Sequence, residues 1–207
     1  MKRLAFYFDS SNCSGCKTCQ VACKDKNNLA AGSLWRKVYE VSGGEWIQKN
    51  KAWIPNIYAY NVSLSCNHCE DPICLKNCPT NAIVKRPDGI VMIEQHKCIG
   101  CKYCSWVCPY GAPQFDEEKG VMGKCDLCAD YIDQGKNPTC VDACPTRSLD
   151  FGDYDDLAKK YKEVDHIYPL PDPEITKPSI LIKPHKDAQM AKEINPEVAN
   201  MEEIKHA

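Results

Sequence analysis

Sixteen of the 207 residues are cysteine, and all of them fall into four groups of four. The groups are Cys13, Cys16, Cys19 and Cys23 in CSGCKTCQVAC, then Cys66, Cys69, Cys74 and Cys78 in CNHCEDPICLKNCP. They continue with Cys98, Cys101, Cys104 and Cys108 in CIGCKYCSWVCP, and with Cys125, Cys128, Cys140 and Cys144, whose inner pair stands wider apart. Three chemistries compete for such thiols: disulfides, structural zinc and iron–sulfur clusters. Disulfides suit small exported chains, but short CxxCxxC runs make ordinary bridge geometry awkward. Structural zinc prefers two separated CxxC pairs closing one tetrahedral site, and only the fourth group approaches that pattern. The first and third groups instead reproduce the CxxCxxCxxxC run of bacterial ferredoxins, and the second and third end in the Cys-Pro that completes it.

A cubane has four irons, so three thiolates from one tight loop reach three of them and the fourth ligand arrives from elsewhere. In two-cluster ferredoxins it comes from the other group. Cysteine followed by proline suits that role, because proline removes a donor and opens the next segment. Cys78-Pro79, Cys108-Pro109 and Cys144-Pro145 fit, whereas Cys23-Lys24 does not. Four complete sets imply four 4Fe-4S clusters. Sixteen thiolates and four oxidised cubanes would shift the formal net charge of −2 by about −8. Lys17, Lys24, Lys76, Lys97, Lys102 and Lys124, with backbone donors around Gly15 and Gly100, can offset that charge, although each lysine taken singly reads equally well as solvated surface.

The remaining composition is ordinary: 43% hydrophobic and 26% charged, a globular balance. Aliphatic runs such as Ile90-Val91-Met92-Ile93 are far too short to span a bilayer, so no direct membrane span is expected. Lys2 and Arg3 precede an apolar stretch too short for a secretory signal, so no export address is expected either. The acidic balance excludes the basic footprint of a nucleic-acid binder.

Four groups suggest two ferredoxin-like units. Between the second and third groups, Ala82-Ile83-Val84, the turn Arg86-Pro87-Asp88-Gly89 and Ile90 to Ile93 read as a β-hairpin, which makes those groups one unit; the first and fourth would then enclose it. Sequential pairing is also open on spacing. Strands are expected over Leu4 to Phe8, Ile57 to Leu64 and Ser148 to Phe151, with a helix capped by Asp153 running from Tyr154 to about Tyr161. The proline-rich stretch from Val164 to Pro184 reads as extended and suited to lie along a partner. A short helix is open after His185. His68 reads as a neighbour of a cluster or a surface residue, because the cysteines around it already complete a set. Tyr103, Ser105 and Trp106 read either as lining an electron path or a quinone-facing interface or as packing against the cluster, and packing is the expected role. No nucleophile–base pair, phosphate loop or paired carboxylate stands out, so no catalytic site is expected.

The strings FYFDSSNCSGCKTCQVACKD, GGEW, SLSCNHCEDPICLKNCPTNAI, DGIVMI, CIGCKYCSWVCPYGAPQF, KCDLC, CVDACPTRSLDFG and TKPSILIKP resemble the four-cluster iron–sulfur subunit of dimethyl sulfoxide reductase and related molybdopterin oxidoreductases. The resemblance implies an α+β fold of two nested bacterial-ferredoxin-like units, each with two 4Fe-4S clusters. The outer unit would span 1–55 with 112–163, the inner unit 56–111, and a long extended C-terminal arm 164–207. It also implies the ligand sets: Cys13, Cys16, Cys19 with Cys144; Cys125, Cys128, Cys140 with Cys23; Cys66, Cys69, Cys74 with Cys108; and Cys98, Cys101, Cys104 with Cys78. Nitrate-reductase-type relatives carry tryptophan at the position of Cys101 and a three-iron cluster there, which this sequence does not match. The implied role is a non-catalytic electron-transfer subunit between a molybdopterin (molybdenum or tungsten) catalytic subunit and an integral-membrane anchor that oxidises quinol. Such subunits lie against the cytoplasmic membrane, on the outer face when exported with a twin-arginine partner, and cytoplasm-facing relatives exist. The contrasting class is a soluble polyferredoxin carrier serving a hydrogenase or formate dehydrogenase.

Overall fold

The computed structural model describes residues 3–162, 164 and 166–206; of Glu193 and His206 only the backbone is described. Met1, Lys2, Glu163, Asp165 and Ala207, which the expected unit boundaries include, lie outside the described residues. The chain runs β1 (Leu4–Asp9), α1 (Thr18–Lys26), β2 (Lys37–Lys49), β3 (Ala52–Leu64), α2 (Ile73–Lys76), β4 (Ile83–Lys85), β5 (Val91–Ile93), α3 (Tyr103–Val107), β6 (Gln114–Asp116) and β7 (Val121–Gly123). It continues with α4 (Ala129–Ile132), α5 (Thr139–Asp142), β8 (Leu149–Asp153), α6 (Tyr154–Lys160), β9 (Ile180–Lys183), α7 (Met190–Glu193), β10 (Glu197–Val198) and α8 (Met201–His206). The content is mixed α and β, and none of these helices is long enough to be stable in isolation.

The unbroken apolar run of β1 is what a strand covered on both faces requires. β1 is the middle strand of a three-stranded sheet, antiparallel to β8 and parallel to β9. Leu4, Phe6 and Phe8 face the main core, which they share with Cys19, Cys66, Cys125, Cys140 and Cys144. Ala5 and Tyr7 face the other way, against Leu157 of α6 and Leu181 of β9. Tyr7 stacks on Tyr161 with ring centroids 3.5 Å apart. The Asp153 carboxylate caps α6 by accepting from the Asp155 N–H at 3.1 Å, as its sequence position predicts.

A second sheet is built on the hairpin β2–β3, in register from Lys37 opposite Leu64 to Lys49 opposite Ala52. The strand expected from Ile57 therefore starts earlier and has a partner that pattern reading missed. Pro55 interrupts its apolar run and Gly43-Gly44 interrupts the other, both signals that argue against a strand. The root of the hairpin is buried through Val38, Val41, Tyr58, Tyr60 and Val62, while Trp46, Ile47, Trp53 and Ile54 near the tip are exposed. The hairpin expected between the second and third cysteine groups is present as β4–β5, with Ile83 opposite Ile93. A further one, β6–β7, follows the third group.

The C-terminal segment differs from the extended arm expected of it. β9 inserts beside β1, and β10 pairs with β2. The Asn200 side chain donates to the Val38 carbonyl at 2.8 Å and accepts from the Glu40 N–H at 2.9 Å. The Tyr58 hydroxyl donates to the Ile194 carbonyl at 2.7 Å, and Leu181, Ile182 and Ile204 are buried. Prolines exclude long helices here, but the apolar residues between them still have surface to bury, and they bury it on this chain's own sheets.

Candidate metal centres

Each cysteine loop is shaped by residues in the left-handed region. In the first group Gly15 (φ 71°) and Lys17 (φ 59°) flank Cys16; in the third, Gly100 (φ 66°) and Lys102 (φ 63°) flank Cys101 in the same way. Alternating handedness turns successive backbone N–H groups toward one point, a concavity suited to negative charge. A side chain on Gly15 would also come within 2.6 Å of the Asn61 side-chain oxygen, and one on Gly100 would strike the Gly120 carbonyl. Leu127 and Cys128 bend the fourth group, and His68 (φ 42°) bends the second.

A short helix then presents the next thiols: Cys19 and Cys23 on α1, Cys74 on α2, Cys104 on α3 and Cys140 on α5. α1 packs on α5 and α2 on α3, so the helices pair across the sequence order of the groups. After the second and fourth groups the Cys-Pro-Thr turn wraps the sulfur. The Ala82 N–H donates to Cys78 Sγ at 3.2 Å, and the Thr146 hydroxyl lies 3.6 Å from Cys144 Sγ. Burial works to raise the Cys78 and Cys144 thiols, but these donors outweigh it and hold both below the usual thiol value.

Most of the other shifted thiols are pushed the opposite way, by burial first and by one another next. Cys13 is raised to about 11, with Cys19, Cys144 and Cys16 as its charge neighbours. Cys23 is raised to about 12 beside Cys140 and Cys128, and Cys125 is raised beside Cys23, Cys66 and Cys140. Cys74 is raised to about 12 beside Cys66, Cys108 and Cys69. Cys104 is raised to about 11 beside Cys98, Cys101 and Cys78. Two of these neighbourhoods surround small cavities. One is lined by Cys66, Cys69, Cys74 and Cys108 with Asn67 and Lys124, the other by Cys23, Cys125, Cys128 and Cys140 with Arg36 and Phe6. Among the described residues, no three cysteine, histidine or acidic side chains close on one point as a single metal ion requires; the thiols stand around spaces instead.

Whether an iron–sulfur cluster suits those spaces can be tested on polar atoms that lack a protein partner. Among the described residues, the buried orphans include Arg36 Nε, both side-chain polar atoms of Asn67 and His68 Nε2. Arg36 and Asn67 line the two thiol cavities, and His68 adjoins Cys69 in sequence. Buried N–H donors left without a partner cost about 1–3 kcal/mol each, and cluster sulfides are acceptors that would satisfy them. The donor set and the orphaned N–H groups of Arg36, Asn67 and His68 fit a sulfide-bearing polynuclear group, while the Asn67 oxygen, an acceptor, adds nothing to that fit.

The sequence reading missed Arg36. It precedes β2, is 1% exposed, and donates to Ser63 Oγ at 3.1 Å and Ser65 Oγ at 3.0 Å. No spacing rule links an arginine thirteen positions after Cys23 to that thiol; only the fold of β2 against β3 does. His68 is fully buried, with Nδ1 accepting the Val91 N–H at 3.0 Å, so its surface alternative falls. Burial, together with the nearby Lys124 charge, depresses its pKa. Of the lysines, Lys124 is 4% exposed and not solvated surface. Lys17 pairs with Glu40 and Glu203, Lys76 with Asp71, and Lys97 with Glu94. Lys24 donates to the Ala30 carbonyl, and Lys102 lies over the Phe115 ring. Tyr103 and Trp106 do not pack inward as expected: they are 44% and 75% exposed, edge to face with each other.

Comparison with known proteins agrees with this chemistry. The profile of a 4Fe-4S dicluster domain matches residues 57–154. The chain is 48% identical over 199 residues to a chain of the anaerobic dimethyl sulfoxide reductase of Escherichia coli (strain K12), covering 96% of this chain and 97% of that one. It is 47% identical over 205 residues to the chain of the same name from Haemophilus influenzae, covering 99% and 100%. It is also 42% identical over 170 residues to a subunit of the sulfite dehydrogenase of Allochromatium vinosum, covering 75% and 71%. With a sequence match that runs nearly end to end and thiols gathered around cavities lined by unpartnered buried N–H groups, the chain belongs to the iron–sulfur electron-transfer subunits of the dimethyl sulfoxide reductase family.

Proposed function

We propose that this chain carries four 4Fe-4S clusters and relays single electrons between a molybdopterin catalytic subunit and a quinol-oxidising membrane anchor, with no catalytic site of its own. The observation that carries the reading is the grouping of all sixteen thiols by charge neighbourhood and cavity. It supports a Cys13 site (Cys13, Cys16, Cys19, Cys144), a Cys125 site (Cys125, Cys128, Cys140, Cys23), a Cys66 site (Cys66, Cys69, Cys74, Cys108) and a Cys98 site (Cys98, Cys101, Cys104, Cys78). Each takes three ligands from one group and a fourth from another, which is the nested pairing. On this reading the β4–β5 hairpin joins the two inner sites, and the α1–α5 contact joins the two outer ones.

A 4Fe-4S cluster supplies reversible one-electron chemistry when bound. The chain's part is to bind, shield and order the sites. Charge neighbours across the sites support a sequence: Cys140 feels Cys19, linking the Cys125 and Cys13 sites, and Cys125 feels Cys66, all four within one buried cluster. Cys74 and Cys104 share an apolar cluster with Ile83, Val91 and Met122, linking the Cys66 and Cys98 sites. In the middle of this row all four thiols of the Cys125 site are buried, as are Cys66 and Cys74, with Cys69 and Cys108 half-buried, while Cys16 and Cys101 at the two ends are exposed. A carrier that exchanges electrons with two partners needs that arrangement.

The relatives are named as a chain or subunit of larger oxidoreductases, which supports a catalytic partner for this chain. Among the described residues no helix is long and apolar enough to cross a membrane, so attachment would come through the anchor, on the outer or the cytoplasmic face according to how the catalytic partner is exported. Anaerobic purification through a tag, with metals counted and co-purifying chains weighed, tests the proposal. Expected are about four irons per cysteine set and a large partner containing molybdenum or tungsten. Iron on a single soluble chain without such a partner would support the polyferredoxin carrier instead, and zinc without iron would overturn both.

A further inference from the structure

Buried cations need buried anions, and among the described residues only two lysine or arginine side chains are buried, Arg36 and Lys124. Neither has a carboxylate within ion-pair distance among those residues. Arg36 places its guanidinium 4.6 Å from the Phe6 ring centroid and lines the cavity of Cys23, Cys125, Cys128 and Cys140. The Ser63 hydroxyl that accepts from it lies 3.3 Å from Cys19 Sγ, a thiol of the adjacent set. Lys124 lines the cavity of Cys66, Cys69, Cys74 and Cys108, and its ammonium donates to the carbonyls of Val91 and Cys125. The third junction is different in kind. Cys74 and Cys104 share an apolar cluster with Ile83, Val91 and Met122, which Lys124 reaches at the Val91 carbonyl.

We propose that Arg36 and Lys124 are fixed countercharges at two of the three junctions: Arg36 between the Cys13 and Cys125 sites, Lys124 between the Cys125 and Cys66 sites. The Cys66–Cys98 junction is left apolar. The proposal rests on the four-site reading above. Taking up one electron from a donor makes and breaks no bond and leaves a site one unit more negative. A buried positive charge beside it stabilises that form, in a medium where a few ångströms of separation count for far more than in water. The Cys125 site touches both cations, so its potential is the most strongly raised, and the Cys98 site gains from neither. Both residues are positioning residues, since neither is a ligand.

The test is a mediated potentiometric titration of the intact complex, followed by paramagnetic resonance, with iron counted on each sample. Wild-type protein short of about four irons per cysteine set would defeat the four-site reading itself. With full iron, Arg36→Gln should lower two of the four transitions and Lys124→Gln should lower two, one of them shared and one moved by neither. The expected size is at least a tenfold change in the one-electron equilibrium, about 59 mV. Arg36→Lys and Lys124→Arg, which keep the charge, should stay near wild type. Unmoved potentials at full iron, or four transitions moved alike, would overturn the countercharge role. Should a glutamine variant lose iron, the charge-keeping variant decides: full iron at wild-type potentials upholds the proposal, and equal loss shows that packing and not charge is at work.

Discussion

Cys125 and Cys101 are both offered as ligands, yet their settings are opposite. Cys125 is buried in the main core beside Leu127, Phe6 and Cys140, whereas Cys101 is exposed in a loop rimmed by Ile99, Tyr103 and Trp106. The interior thiols double as core: their sulfurs fill space that in another protein would hold leucine or valine. The outward thiols contribute almost nothing to packing and leave apolar side chains facing solvent. One region therefore keeps its shape by close packing, and the other leaves its apolar side chains open to solvent.

That contrast can be broken most directly by removing the ligands themselves. Cys125→Ala should cost the iron of its whole site and lower the thermal midpoint of the complex sharply, while Cys101→Ala should leave a folded chain with a single site altered. Iron analysis and thermal melts would check both, and equal damage from the two would erase the distinction. Next in size, Phe6→Ala removes a ring that is 1% exposed and should cost about 3–5 kcal/mol. Trp106→Ala, at 75% exposure, should change stability by less than about 0.5 kcal/mol yet weaken retention of a partner chain in pull-down. Smaller again, Gly100→Ala should cost more than Gly135→Ala in denaturant melts. Both have positive φ, but only Gly100 meets backbone where the methyl would go, so Gly135 should show only the left-handed penalty of about 1–2 kcal/mol. Least of all, Lys159→Ala removes a pair with Asp156 in which both side chains are 78% exposed, and the melting temperature should not move.

The cysteine loops were legible because their chemistry is local: spacing of two or three residues and the glycines that permit the bends stand together in the sequence. The β4–β5 hairpin and the Asp153 cap were legible for the same reason. Arg36, the partner strand β2 and the return of the C-terminal segment were not. Arg36 becomes a neighbour of Cys23 and Cys140 only when β2 lies against β3, and no periodicity announces a pairing across Pro55. The sequence of 164–184 signals what it cannot be, a long helix, far more loudly than where it goes. Tyr103 and Trp106 carry no mark that separates inward packing from a face awaiting a partner.

The central position of β1 has a consequence for how the molecule is made. It leaves the ribosome long before its antiparallel neighbour β8 and its parallel neighbour β9, and the Arg3 N–H waits 150 positions for the Asp153 carboxylate. Closing so long a loop is slow. The segment from Cys66 to Cys108, bracketing its own hairpin, has no such delay. Assembly should therefore proceed from the middle of the chain outward, and a nascent polypeptide halted before β8 would hold β1 as an unpaired apolar strand, the natural substrate of a chaperone.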